Sequence, residues 1–285
     1  MTVNLVHILK KTYVGIFDVI RRLVWVCQYA VVIGRVQRIS TKPLGALQGK
    51  KCLFLVPHAD DELVGCYKIL KESRIQSTCY YFGFIGDGVK GESKEARKEE
   101  VVRSSRELRF HLIVGEGDPV EEIKHILESV SWDFICLPSF IDWHPDHLKV
   151  NDTLLQALNL IGHDAVVGKI ITYQVSVPFP ESYITHHSPL SRSEQSCKWE
   201  LFSKVYRSQA YIPVARFMLN ERISGALIGI FAAEVYAVYD SAEYQQILNQ
   251  WMILDKSYLK AAINNICFVR QCVHDLLLKV NQGGV

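Results

Sequence analysis

Over residues 50–180 the sequence alternates between short apolar runs and longer polar or amphipathic runs. The apolar runs have the length of buried strands, and we predict strands at 51–56, 78–85, 133–138 and 169–176. The runs between them have helical length and spacing, and we predict helices at 62–72, 93–109, 119–130 and 146–161. Strands that alternate with helices form parallel sheets with right-handed crossovers. This part of the chain therefore predicts an α/β fold.

Helical patterns continue beyond the alternating region. We predict helices at 194–208 and 215–225, followed by an amphipathic helical tail over 241–280. The prolines between residues 178 and 189 predict a loop at the rim of a pocket. The complete prediction is a Rossmann-like, open and mostly parallel sheet flanked by helices, with added N-terminal and C-terminal helices.

We divide the 285 residues into three parts. Residues 1–45 form an N-terminal basic amphipathic helical segment, and residues 46–240 form the main α/β domain. Residues 241–285 form a C-terminal helical extension that packs on this domain. The chain is 49% hydrophobic and 22% charged, which is typical of a globular protein.

Composition also bounds the compartment and the partners. None of the eight cysteines forms a Cys-x-x-Cys pair, and several lie inside apolar runs. We therefore expect buried thiols in a reducing compartment, which indicates the cytoplasm. The net charge of +2 argues neither for nor against nucleic acid, and we expect no nucleic-acid partner.

The N-terminal segment is basic and has apolar residues at helical spacing. Its seven lysines and arginines stand against a single acid, Asp18, and the apolar positions recur from Leu5 to Val24. Two interpretations remain open: the helix packs on the main domain, or it lies on an anionic membrane surface. The second interpretation predicts peripheral contact with the inner membrane face through residues 1–40. The uncharged run Leu23–Gly34 is too short to span a membrane, and charges interrupt the apolar region too often for a signal peptide.

An imidazole and three carboxylates follow the first predicted strand, in the segment His58-Ala59-Asp60-Asp61-Glu62. Open α/β sheets place their binding sites at this end of the strands. Crowded carboxylates repel one another and resist burial, and a divalent cation removes that conflict. The segment therefore predicts one half of a metal site.

A second segment of the same kind, Asp142-Trp143-His144-Pro145-Asp146-His147, follows the predicted strand 133–138. The carboxyl ends of parallel strands share one edge of a sheet, so the two segments are expected to meet there. Imidazole and carboxylate ligands suit zinc, with an open position for water, and they also suit non-haem ferrous iron. We expect Zn²⁺, and Fe²⁺ remains open.

Together the two segments resemble the paired metal motifs of the LmbE-like/PIG-L family of zinc-dependent N-deacetylases, which act on N-acetylglucosamine-containing conjugates. The first family motif is usually His-Pro-Asp-Asp-Glu, and Ala59 replaces its proline here. The supporting matches are Arg97-Lys98-Glu99-Glu100, Lys198 through Ser208-Gln209, and Ala233-Glu234-Val235-Tyr236. The resemblance covers about residues 50–240, and it implies that 46–240 is an LmbE-like deacetylase domain.

The resemblance implies roles for the first group of site residues. His58, Asp61 and His147 would bind the metal. Asp60 would be the general base, because a carboxylate that is not a ligand keeps the basicity needed to take a proton from a water activated by the metal.

The resemblance also implies roles around the substrate. His144 would face the substrate carbonyl and stabilise the oxyanion, and Asp146 would orient His144. Arg97 and Asp87 would bind sugar hydroxyls or an attached group.

The activity implied by the resemblance is the hydrolysis of a linear amide C–N bond. An N-acetylated amino sugar would be converted to a free amine and acetate during glycan biosynthesis, with a lipid-linked or nucleotide-linked sugar as the substrate. Two alternatives remain: a hydrolase of another amide or ester that uses the same zinc site, and a non-catalytic membrane-associated scaffold.

Overall fold

The computed structural model of the chain describes residues 2–73, 76–82, 94–162 and 168–281. Its helices are α1 (Thr2–Ile33), α2 (Asp61–Ser73), α3 (Lys94–Leu108), α4 (Pro119–Ser129), α5 (Pro145–Ile161), α6 (Arg192–Val205), α7 (Val214–Ile228), α8 (Ser241–Met252), α9 (Leu259–Ala262) and α10 (Ile266–Asn281). Its strands are β1 (Lys42–Pro43), β2 (Cys52–Val56), β3 (Ser77–Tyr81), β4 (His111–Val114), β5 (Phe134–Pro138), β6 (Lys169–Tyr173), β7 (His186–Leu190) and β8 (Ala232–Tyr239). Short 3₁₀ helices lie at Glu181–Tyr183 and Arg207–Gln209.

The strands form one eight-stranded sheet in the order β1-β7-β8-β6-β5-β2-β3-β4. Among the described residues, neighbouring strands are parallel, except where β8 pairs with β6 and β7. The predicted fold class is confirmed: the chain forms an α/β structure with an open, mostly parallel sheet and flanking helices.

Several elements differ from the predictions. Strand β3 ends at Tyr81, and residues 83–85 of the predicted strand lie outside the described residues. Strands β4, β7 and β8 have no counterpart among the predicted strands. The helical tail is divided into α8, α9 and α10 instead of running continuously.

The predicted proline loop ends in strand β7, which contains Pro189. Pro189 lies opposite Ala233 of β8, whereas β1 covers only His186 and His187 on the other side of β7. The proline therefore lies where one side of the strand has no neighbour, and its missing N–H breaks no hydrogen bond of the sheet.

Both faces of the sheet are covered because successive strand residues point to opposite sides. In β2, Leu53 and Leu55 join the core formed with α4, α5 and the C-terminal helices. Phe54 and Val56 join the core formed with α2 and α6. Trp251 of α8 is fully buried in the first core, so the C-terminal extension packs on the sheet.

Helix α1 packs against α7 and α10. Trp25 is buried in a small apolar cluster with Leu219, Ile223 and Ile266. Its indole Nε1 donates to the carbonyl oxygen of Asn264 at 2.9 Å. Across the described ranges, we find no helix with the length and apolar character needed to cross a membrane.

Candidate active site

The two predicted metal segments meet at one edge of the sheet. Strands β2 and β5 are parallel neighbours, with Phe54 opposite Cys136. The chain therefore leaves Val56 and Pro138 at the same edge, and α2 and α5 begin there, at Asp61 and Pro145. Proline fits the first position of a helix because its missing N–H would have no helical partner there.

Asp61 joins the two segments through one carboxylate oxygen. Its Oδ2 lies 3.1 Å from Nδ1 of His58 and 3.3 Å from Nε2 of His147. The backbone N–H of His58 also donates to this oxygen, at 3.1 Å. Asp61 and His147 are buried, so the three predicted metal ligands converge in a largely enclosed place.

The remaining ring nitrogens of the same two histidines face further carboxylates. His58 Nε2 lies 2.9 Å from Asp146 Oδ2, and His147 Nδ1 lies 3.1 Å from Asp142 Oδ2. Each imidazole therefore lies between Asp61 and a second carboxylate. This is the arrangement in which an outer carboxylate orients a metal-binding histidine.

The electrostatics of this group favour positive charge. Burial lowers the pKa of His58, but the Asp61 charge and the hydrogen bond to Asp146 outweigh it and raise the pKa to about 9. Burial acts on His147 in the same direction, and the charges of Asp61 and Asp142 raise its pKa to about 10. Burial would raise the pKa of Asp61, but the two imidazoles hold it well below its usual range. The residues fit a divalent cation, since excess carboxylate charge surrounds imidazole donors that can give up their protons to it.

His144 lies beside the predicted ligands and is in a different protonation state. Its ring is 4.5 Å from that of His58, measured between centroids, and one ring nitrogen from each of His58, His144 and His147 lies within 4.8 Å of the others. Burial and the charges of His147 and His58 lower the pKa of His144 to about 4. The backbone N–H of Asp146 donates to His144 Nδ1 at 3.3 Å, which leaves the ring proton of the neutral form on Nε2.

Asp146 contacts both neighbouring histidines. Its carboxylate lies 2.9 Å from His58 Nε2 and 3.6 Å from His144 Nδ1. Its contact with His144 is therefore mainly through the backbone N–H, and its carboxylate lies closer to His58. The hydrogen bond from His58 holds the pKa of Asp146 below its usual range.

Asp60 has an unusual backbone conformation, with a φ of 142°. Such a conformation is strained for a residue with a side chain, and strain of this kind is concentrated at functional sites. The Asp60 N–H donates to Oε2 of Glu62 at 3.2 Å. Glu62 is fully buried, and its other oxygen accepts hydrogen bonds from Ser104 and Tyr206. Glu62 therefore supports the backbone at Asp60.

Arg97 lies close to Asp60, as the sequence predicts for a site residue. Burial and the Asp61 charge raise the pKa of Asp60 well above its usual range, and the charge of Arg97 opposes that shift. Arg97 is 8% exposed, and its Nη1 donates to Ser208 Oγ at 3.2 Å. The other predicted substrate-binding residue, Asp87, lies outside the described residues.

The sequence interpretation assigned Asp142 no role at the site. Asp142 is buried, and its two carboxylate oxygens accept hydrogen bonds from the backbone N–H groups of His144 and Ser176. The available signal was its position in the second segment, five residues before His147, but only the turn into α5 brings the two side chains together.

A second unassigned feature is a kink in α2 at Cys66, where φ is −132° and ψ is 20°. Lys198 Nζ donates to the carbonyl oxygen of Val64 at 2.7 Å, and Glu234 Oε2 accepts from the N–H of Lys68 at 2.9 Å. In a regular helix these two backbone groups would bond to each other. Two side chains therefore replace one helical hydrogen bond directly after the first turn of α2.

The two side chains at the kink also form a buried ion-pair cluster. Lys198 is fully buried, and its Nζ lies 2.6 Å from both Glu221 Oε1 and Glu234 Oε1. Burial lowers the pKa of Lys198, but the two carboxylates outweigh it and raise the pKa, so the ammonium stays charged. The cluster joins α6, α7 and β8 to the helix that begins at Asp61.

Comparisons with known proteins match the fold of this chain. No protein-family model matches the sequence, and no curated protein matches it. The conserved protein TT1542 from Thermus thermophilus has a similar structure, with a TM-score of 0.53 and 23% identity over 66% of this chain and 94% of that chain. The A40926 pseudoaglycone deacetylase Dbv21 is also similar, with a TM-score of 0.50 and 14% identity over 69% of this chain and 99% of that chain. At these identities the likeness establishes a shared α/β fold.

Proposed function

We propose that the protein is a metal-dependent N-deacetylase that removes the acetyl group from an N-acetylated amino sugar. The substrate class is an N-acetylglucosamine-type conjugate, and the products are the free amine and acetate. The main support is the placement of His58 and His147 between Asp61 and outer carboxylates, at the ends of two neighbouring strands. The name of Dbv21 gives secondary support, because it describes a deacetylase on a similar fold.

His58, Asp61 and His147 would hold the ion, with Zn²⁺ expected and Fe²⁺ as the alternative. When bound, the ion would supply Lewis acidity that polarises the substrate carbonyl and lowers the pKa of a water from about 16 toward about 7. Asp146 and Asp142 orient the two imidazoles through their outer nitrogens.

Asp60 would act as the general base. It accepts a proton from the attacking water and returns it to the nitrogen of the leaving amine. Burial and the neighbouring Asp61 raise the pKa of Asp60, which makes its carboxylate a stronger base than an exposed aspartate. The hydrogen bond from the Asp60 N–H to Glu62 holds the backbone of the base in place.

His144 would stabilise the oxyanion that forms as water attacks the carbonyl carbon. The lowered pKa of His144 indicates a neutral ring, and the N–H of Asp146 occupies Nδ1, so Nε2–H is the group available to donate. A well-placed donor of this kind can contribute about 3–4 kcal/mol to transition-state stabilisation. Arg97 and Asp87 are proposed to bind the sugar or its attached group.

The direct test is a screen of the purified protein, loaded with Zn²⁺ or with Fe²⁺, against N-acetylglucosamine conjugates. The panel includes free, nucleotide-linked and lipid-linked sugars, and the readout is free amine. Asp60→Asn is the catalytic variant, because it removes the base without changing a proposed ligand. We expect it to keep its metal and to lose activity by orders of magnitude. Full activity in Asp60→Asn would exclude Asp60 as the base.

The same screen separates the alternatives. Activity confined to other amides or to esters would identify a hydrolase of a different substrate class that uses the same residues. Metal binding without hydrolysis of any panel compound would favour a scaffold. The complete set of His58, Asp60, Asp61, His144 and His147 argues for the enzyme, because a relic site loses its base or a ligand first. We propose a cytoplasmic location, with the inner membrane face as the site of peripheral contact.

A further inference from the structure

Helix α1 exposes a wide apolar surface. Val19, Leu23 and Val26 are 57%, 59% and 52% exposed. We call this surface the outer face of α1, and it consists of Val19, Ile20, Leu23, Val24, Val26, Cys27, Ala30 and Val31, all exposed. At 3.6 residues per turn these positions cover about 160° of the helix circumference. An apolar arc of this width normally faces a protein core, and its exposure indicates a binding surface.

The opposite side of α1 is already covered by the protein. Trp25 is 2% exposed, and Gln28 Oε1 accepts a hydrogen bond from the N–H of Ile266 at 2.9 Å. On the helical wheel Trp25 lies about 180° from the centre of the outer face. The outer face is therefore directed away from the helices on which α1 is seated.

Basic residues border the outer face on both sides. Arg21 and Arg22 are exposed, and on the helical wheel they lie about 60° and 40° beyond its two edges. Arg35 and Arg38 are exposed just after the helix ends. Asp18 is the sole acid in the first 59 residues, and it pairs with Arg21 away from the outer face.

We propose that the outer face of α1 binds in the plane of a membrane surface that carries anionic lipids. The apolar side chains would enter the boundary between headgroups and acyl chains. The flexible stems of Arg21 and Arg22 would let their guanidinium groups reach the lipid phosphates. A second copy of the chain fits the same surface less well, because two outer faces packed together would bring their arginine borders into like-charge contact.

The test is co-sedimentation of the full chain with vesicles of phosphatidylcholine, alone or mixed with phosphatidylglycerol. We expect the bound fraction to rise with phosphatidylglycerol and to fall with added salt. Leu23→Glu should lower the partition coefficient by about tenfold or more, because it replaces an inserted leucine with a charge. Replacing Arg21 and Arg22 together with Gln should remove the preference for phosphatidylglycerol.

Leu160→Glu is the matched control, since Leu160 is 56% exposed on α5 and its replacement should leave vesicle binding unchanged. Equal thermal midpoints would show that Leu23→Glu is folded, and Val26→Glu replaces it if they differ. Two results would overturn the proposal. One is wild-type protein that stays in the supernatant with both vesicle types, or that binds no better than the folded outer-face variant. The other is a dimer in sedimentation velocity that the same variant converts to a monomer. The measurement needs no substrate, so its outcome is independent of the proposed deacetylase activity.

Discussion

Single carboxylates decide the state of the buried imidazoles at the sheet edge. Asp61 lies between His58 and His147 and lets both segments share one cation. Asp142 faces the outer nitrogen of His147, and both its oxygens are also held by backbone N–H groups. An aspartate held in this way keeps a histidine in one orientation and raises its basicity as a ligand.

We predict that Asp142→Asn weakens metal binding by about 10–100-fold, because the amide no longer supports His147 as an anion does. The affinity for Zn²⁺ is measured by competition with a chelator of known strength. Asp152→Asn is the control, since Asp152 lies on the same helix and bonds to Gln156 rather than to the site. An unchanged affinity in Asp142→Asn would show that the 3.1 Å contact does not orient the ligand.

At the scale of the element, α2 combines two structural tasks. Its first turn carries Asp61 and Glu62 of the candidate site, while its later turns pack in the core. The kink at Cys66 separates the two parts, and Lys198 and Glu234 satisfy the backbone groups that the kink leaves unpaired. The direction of the metal-binding turn is thus set by residues from α6 and β8.

We predict strong coupling between Lys198 and Glu234. Lys198→Met should lower the free energy of unfolding by about 3–5 kcal/mol, because it leaves buried carboxylates without a counter-charge. Adding Glu234→Gln should recover part of this loss, with a coupling free energy of about 1–3 kcal/mol. Urea unfolding of the two single variants and the double variant measures it.

The exposed pair Lys204–Glu107 provides the control cycle, with side chains 59% and 37% exposed. Its coupling should not exceed about 1 kcal/mol, because water screens the charges. Equal coupling in the two cycles would contradict a special role for the buried pair at the kink.

For the whole molecule, the C-terminal extension is tied to the candidate site. Lys256, between α8 and α9, is buried, and its Nζ donates to the carbonyl oxygens of Phe140 and Trp251 at 2.8 Å and 3.0 Å. Lys260 Nζ lies 5.2 Å from the ring centroid of Trp143, the neighbour of His144. The extension therefore supports the chain segment that leads into the second metal motif.

This contact makes the stability of the fold depend on pH. Burial lowers the pKa of Lys256 from 10.5 to about 8 in the folded protein. Between those values the unfolded chain binds more protons at this residue, so its contribution to the free energy of unfolding rises with pH. The stability of the wild type relative to Lys256→Met should therefore increase by about 3 kcal/mol between pH 8 and pH 10.5.

Urea unfolding of both proteins across this range measures the difference, so that titrations common to both cancel. Lys260→Met, an exposed lysine of the same segment, is the reference for the loss of one positive charge. A wild-type advantage over Lys256→Met that stays constant with pH would show that the ammonium of Lys256 is not desolvated by folding.

The sequence by itself determined the α/β class and the pairing of the two metal segments, because both follow from local patterns. Apolar runs of strand length mark β2 and β5, and the polar residues that follow each strand must emerge at its end. Strand β8 lacked such a signal, since Glu234 interrupts its apolar run. Its carboxylate is stable there because Lys198 reaches it from α6.

Only the tertiary structure decided the contacts between distant segments. It placed Asp142 against His147, turned the carboxylate of Asp146 toward His58, and seated α1 with its apolar outer face exposed. Each of these depends on the angle at which one element leaves or crosses another. Local side-chain spacing carries no information on that angle, because it is set by the packing of the whole core.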